Sequence, residues 1–192
     1  MKHHRIGLDI RMLQNSGIGT YLRGLLSGFR TLGLDKDLAL FGLASPQPDP
    51  FTAPIYSIRE QFQYPARLRQ CRLWHAPHYN VPLWKGKTKL VVTIHDIIHW
   101  LFRKQFFSPL QTAYAGFMLG RAVKSADQII AVSHHTKKDL LEHFHAPEAK
   151  ITVIHQGVDE TYHRLSPGEL KPALAKLRAK YKLPVKNAGT RA

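Results

Sequence analysis

Lys89-Leu90-Val91-Val92-Thr93-Ile94-His95-Asp96 decides the fold class. Its first part is β-branched and bounded by charge, and it forms one apolar run without strict in/out alternation. That pattern fits a strand of a parallel sheet covered on both faces. Upstream, Leu73-Trp74-His75 reads as a short buried strand ending at Ala76-Pro77, and Ile6 to Ile10 and Leu38 to Leu43 read as two more. Pro54 to Ile58 is a further candidate, after an irregular loop marked by Pro46, Pro48, Pro50 and Pro54. Downstream, Gln128 to Val132 and Lys150 to Ile154 repeat the pattern.

Helical periodicity fills the intervals. Tyr21, Leu22, Leu25, Leu26 and Phe29 share a face, and Gly33 suits the stop. Glu60 to Arg72 reads as helical, with Pro65 expected to split it or delay its start. Pro109 to Lys124 reads as a helix with Ser108 as N-cap and proline at its first position. Ser133 caps another, whose apolar face is Leu140, Leu141 and Phe144. Pro167 to Tyr181 is a basic amphipathic helix. The expected architecture is α/β: a Rossmann-like open parallel sheet of six or seven strands with helices on both faces. Residues 1–165 form its domain, and 166–192 form a basic helix and tail that loses its pattern after Pro184.

The 192 residues suffice for such a domain, and a 44% apolar content argues against global disorder. The single cysteine, Cys71, excludes an intramolecular disulfide and fits a reducing cytoplasm. No apolar run has the length of a signal sequence or a membrane span. The formal charge of +15 is spread along the chain and implies an anionic partner or a solvated basic surface. Without aromatics clustered among the basic residues to stack bases, nucleic acid is not expected.

In open α/β sheets ligands bind beyond the carboxyl ends of the strands. Asn15-Ser16-Gly17-Ile18-Gly19-Thr20 follows the first strand. Glycines there either admit a phosphate to a helix N-terminus or only permit a tight turn. Leu22 stands where a dinucleotide fingerprint would need its third glycine. His75-Ala76-Pro77-His78-Tyr79 and Thr93-Ile94-His95-Asp96 place histidines at two strand ends. Such a histidine contacts a sugar hydroxyl or takes its proton, or it caps backbone groups as a structural residue. Asp96 could hold the imidazole or a hydroxyl. His95 and His99 lack the intervening glutamate of a helical zinc motif, so no metal is expected. Ser133 is a cap first and a ligand contact second, and no serine sits in a nucleophile elbow.

Several of these segments together resemble glycosyltransferase family 4, the group 1 glycosyl transferases. They are Gly7-Leu8-Asp9-Ile10-Arg11 with Gly17-Ile18-Gly19-Thr20-Tyr21, Leu73 to His78, and Val91 to Asp96. The most specific stretch is Ala126 to Ser133, Thr136 to Leu140, and Lys150-Ile151-Thr152-Val153-Ile154-His155-Gln156-Gly157-Val158-Asp159. The resemblance runs over residues 5–184 and implies the N-terminal, acceptor-side half of a GT-B fold. It implies retaining sugar transfer without a metal or cofactor, with a sugar nucleotide as co-substrate. Gly17 and Gly19 would lie near the donor diphosphate. His95, with Asp96, would stand at the reacting centre, and Tyr21, His75, His78 and Ser133 would face the acceptor, a glycan or a lipid-linked glycan. The opening is most similar to mannosyltransferase-type members that extend surface polysaccharides.

The family's C-terminal domain carries a Glu-x7-Glu motif, and no glutamate pair here has that spacing. Gly189-Thr190-Arg191 resembles the beginning of that missing domain. The chain alone is therefore expected to be inactive. The alternative is a truncated remnant or split subunit that binds only an anionic ligand or partner. The basic charge suits a cytoplasmic protein peripheral on an anionic inner membrane face.

Overall fold

The structure is a computed structural model that describes residues 4–42, 51–158 and 162–184. The prolines at 46, 48 and 50, Asp159 and the tail 185–192 lie outside the described residues. Met1–Gly157 is one compact unit and Val158–Ala192 another. The first unit runs β1 (His4–Asp9), α1 (Gly17–Thr31), β2 (Leu38–Phe41), α2 (Ile58–Leu68), β3 (Cys71–Ala76) and β4 (Lys89–Ile94). It continues with α3 (Ile98–Leu101), α4 (Arg103–Phe106), α5 (Pro109–Ser125), β5 (Gln128–Ala131), α6 (His134–Phe144) and β6 (Ile151–Val153). The second unit holds α7 (Pro167–Tyr181), where the Ser166 backbone N–H donates to Glu169 Oε2 at 2.9 Å and closes the first turn.

The six strands form one sheet in the order β2-β1-β3-β4-β5-β6, and every neighbouring pair is parallel. Parallel strands need crossovers, and their right-handedness places α1 on one face and α2, α5 and α6 on the other. The alternating side chains agree. On β2, Leu40 packs with Leu8, Ile10 and Leu22 beneath α1, whereas Ala39 and Phe41 join the larger core. In that larger core Trp74, Val92, Ile94 and Ile129 meet Tyr64, Leu68, Met118, Leu119 and Leu140. Removing such side chains from water supplies roughly 1.5–3 kcal/mol each, so this face dominates the stability of the unit.

Helix ends follow the expected chemistry. Ser108 Oγ accepts from Gln111 N while Gln111 Oε1 accepts from Ser108 N, a reciprocal capping box. At the end of α1, Gly33 adopts φ 67°, and Leu34 N–H reaches back to Phe29 O at 2.8 Å.

Two expectations are corrected. The segment at Pro54 to Ile58 is no strand: Tyr56 has φ 68°, a left-handed conformation that extended backbone excludes, and Ser57 turns back to donate to Pro54 O. Pro65 does not split α2, which runs unbroken from Ile58 to Leu68. Only one ladder bond is forgone, and the Tyr64, Arg67 and Leu68 side chains bury on either side of it. The short helices α3 and α4 carried no sequence expectation. Asp96 Oδ1 accepts from Ile98 N at 3.1 Å and so starts α3.

Candidate active-site cleft

Because all strands run one way, Asp9, Ala76, Ile94 and Ala131 end at one edge. The chain leaves β1 for β2 on one side, while β3 lies on the other, so a crevice opens where the strand order reverses. A cleft of about 310 Å³ stands there, lined in part by Gly17, Tyr56, His78, His95, Asp96 and Gln156.

His95 is held by both ring nitrogens. Nε2 lies 3.0 Å from Pro77 O, and Nδ1 lies 3.0 Å from Gln156 Nε2. A carbonyl can only accept, so Nε2 carries the proton; Nδ1 then accepts from the Gln156 amide. Burial lowers the His95 pKa, opposed by the Pro77 hydrogen bond and the Asp96 charge. The Tyr21 ring stands edge-on to it, with centroids 5.1 Å apart. From below, Thr136 Oγ1 donates to the His95 carbonyl at 2.9 Å. Ser133 Oγ accepts from Thr136 N and bonds Thr136 Oγ1, both at 3.0 Å, so the α6 cap also braces the end of β4.

Thr93 is a buried hub beneath this ring. Its hydroxyl bonds Tyr21 OH at 2.9 Å and His75 Nε2 at 2.8 Å. Burial and the neighbouring His95 push the His75 pKa down to about 4. His78 falls to about 3 through burial, His95 and His99. His78 Nδ1 accepts from Asn80 N at 3.3 Å, and its Nε2 faces Tyr56 OH at 3.5 Å. The lowered values favour neutral imidazoles at His75 and His78, suited to hydroxyl groups. Among the described residues no three His, Cys, Asp or Glu side chains are grouped to hold a metal ion.

The two loop glycines differ. A Cβ on Gly17 would meet nothing within 4 Å, whereas one on Gly19 would lie 2.5 Å from Leu13 O. Gly19 is buried and lets α1 pack on its own entry loop; Gly17 is exposed and opens α1 toward the cleft. Ser16 makes no side-chain cap, and the first turn holds no acidic residue, so the positive end of the helix dipole faces the cleft.

Behind the cleft lies a charged cluster that sequence reading missed. The Arg11 guanidinium bonds Asp9 Oδ2 at 2.6 Å and Glu60 Oε2 at 2.7 Å, and lies 3.7 Å over the Phe51 ring. Asn80 bridges Glu60 to the Tyr114 hydroxyl. Burial works against the Arg11 charge, but the two carboxylates outweigh it and raise its pKa. Burial also raises Glu60, against the pull of Asn80 and Arg11. Asp9 and Arg11 belong to the opening run of the sequence, but nothing along the chain couples them to Glu60.

Of the site residues expected from sequence, Gly17, His78, His95 and Asp96 line one cleft. Tyr21 and His75 stand behind His95 through Thr93, Ser133 braces it from α6, and Gly19 packs in the interior. Asp96 binds the α3 backbone and not the His95 ring. Gln156 and Tyr56 were not anticipated as site residues: in the sequence Gln156 is only part of the stretch that closes the resemblance, and Tyr56 only part of an expected strand.

The fold is an α/β Rossmann-like open parallel sheet of the kind that forms half of a GT-B fold. The chain belongs to Glycosyltransferase Family 4, whose model matches residues 15–162. It is similar to crystal structures of Anabaena Alr3699/HepE. The complex with UDP-glucose aligns with a TM-score of 0.64 at 16% identity over 94% of this chain and 50% of that one. The complex with UDP and glucose gives 0.58 at 17% identity, over 93% and 50%. The complex with UDP gives 0.56 at 18%, over 95% and 50%. The chain spans about half the length of these structures. Comparison with curated proteins gives no match.

Proposed function

We propose that this chain supplies the acceptor-side half of a retaining, metal-independent glycosyltransferase. It moves a hexose, mannose in the reading the opening segment supports, from a sugar nucleotide to a glycan or lipid-linked acceptor in surface polysaccharide synthesis. The protein works at an anionic membrane face. In the reaction the acceptor oxygen bonds the anomeric carbon, the bond from that carbon to the diphosphate breaks, and the hydroxyl proton leaves with the diphosphate. A second, donor-binding domain holds the nucleotide, and the α1 N-terminus at Gly17 adds its dipole to the diphosphate. UDP and UDP-glucose in the Anabaena neighbours support the donor class.

The observation that carries this reading is His95, with Nε2 on Pro77 O and Nδ1 on the Gln156 amide, in one cleft with Gly17. When Gln156 moves aside, the Nδ1 lone pair receives a sugar hydroxyl. The test is a transfer screen of the chain joined to a donor-binding domain, against a panel of sugar nucleotides and polyprenyl-linked glycans. Turnover is expected, and His95→Ala should lower it about 10²-fold. The 192-residue chain alone should show none, since the proposed mechanism needs a second domain to position the donor and stabilise the diphosphate charge. No turnover with any donor, or full activity in His95→Ala, overturns the reading.

A further inference from the structure

We propose that the outer surface of α2 and α5, with the loop from Leu83 to Thr88, is the docking surface for an anionic bilayer. The proposal deepens, and rests on, the membrane reading above. It names a surface that the basic residues alone do not indicate.

On α2, Ile58 and Phe62 are one helical turn apart and are 79% and 81% exposed. On α5, Phe117 is 60% exposed, and Trp84 on the intervening loop is 76% exposed. Scattered apolar residues on a surface are ordinary, but Ile58, Phe62 and Phe117 share one groove. Ile58, Phe62, Leu83 and Phe117 line a groove of about 400 Å³ that also includes Tyr56. Tyr56 lines the catalytic cleft as well, so the groove runs into the site. Trp84, next to Leu83 in the chain, borders a hollow of about 670 Å³ with Arg69, Arg72 and Lys87. Lys85 is neutralised by Asp127, but those three cations are exposed and face no carboxylate among the described residues. Among the described residues neither hollow has an acidic lining residue.

A row of aliphatic and aromatic side chains ending in an exposed tryptophan and unpaired cations matches the interface of a bilayer with anionic headgroups. No helix among the described residues is long and apolar enough to cross a membrane. A second copy of the chain is the poorer occupant. A two-fold interface would set the same cations against one another in a protein of formal charge +15. Three basic residues elsewhere on this unit are engaged or buried. Lys137 pairs with Glu148, Lys138 with Glu142, and Arg67 is buried.

The test uses the 192-residue chain with vesicles of phosphatidylglycerol and phosphatidylcholine, and with phosphatidylcholine alone. Co-sedimentation with the anionic vesicles only is expected. Trp84 emission should move to the blue and be quenched by brominated lipid; Trp84→Phe should lose that signal but keep binding. The triple variant Arg69→Ser, Arg72→Ser, Lys87→Ser should bind about a hundredfold more weakly. Phe62→Ser with Phe117→Ser should release the chain at low salt. All these residues are exposed, so unchanged circular dichroism establishes that the variants fold. Undiminished binding by both variants overturns this surface and leaves the membrane reading standing. No binding by the parent chain to either vesicle overturns both. Self-association abolished by Phe62→Ser with Phe117→Ser assigns the groove to a second copy and overturns the proposal.

Discussion

The Tyr21 ring meets the His95 imidazole at 84°, edge to face, while its hydroxyl reaches past it to Thr93 at 2.9 Å. One side chain therefore serves as wall and tether. Tyr21→Phe keeps the wall and loses the tether, and should cost about 1 kcal/mol in denaturant unfolding. Tyr21→Ala loses both and should cost about 3 kcal/mol. Equal losses would mean that the ring contributes nothing.

His75 makes stability depend on pH. Its folded pKa, about 4, lies below the unfolded value of about 6.5, so the unfolded chain takes up the proton first. Stability is intact above the unfolded pKa and is lost as pH falls from there toward 4. Between pH 7 and pH 5 this histidine alone should cost about 2 kcal/mol. His78 and His95 act in the same direction. Denaturant midpoints at the two pH values should differ less in His75→Gln; an unchanged difference would acquit His75.

Gly17 and Gly19 should separate binding from folding. Gly17→Ala places its methyl in open space and should change stability by less than about 0.5 kcal/mol. Gly19→Ala drives a methyl against the Leu13 carbonyl, a backbone atom that cannot swing away, and should cost about 2 kcal/mol or more. Thermal unfolding of the two variants ranks them.

Ser133 and Thr136 act on His95 as a unit. Ser133→Ala removes the α6 cap and should cost about 1 kcal/mol. Thr136→Val unbinds the His95 carbonyl. Because Ser133 Oγ bonds Thr136, the double variant should cost less than the sum of the singles, by about 0.5 kcal/mol or more. Simple additivity would show that the bridge carries no energy.

The strands and the caps were legible because their signals are local. The run at Lys89–Ile94, the Ser-Pro start of α5 and the cap at Ser133 each lie within a few residues. Pattern failed where context overrode it. Ile55 and Tyr56 look like strand formers, but Tyr56 is turned by its place between the cleft and the groove. The three strand-end histidines, His75, His78 and His95, were visible as a group, since each follows or closes an apolar run. What holds them was not: the Thr93 hub joins three elements, and the Arg11 cluster joins β1 to α2. Hydrogen bonds across such separations leave no periodic trace in one sequence.

The sheet order also bears on how the chain reaches this state. Ile6 of β1 lies between Leu38 of β2 and Leu73 of β3. During synthesis β1 emerges well before the second of these neighbours, so one of its edges stays unpaired until Cys71–Ala76 has left the ribosome. Distant pairings of this kind slow folding, and an open apolar edge invites association with other nascent chains. The strand that leads into the glycine loop is thus made early and secured late, and a pause in translation before Cys71 would prolong its most vulnerable interval.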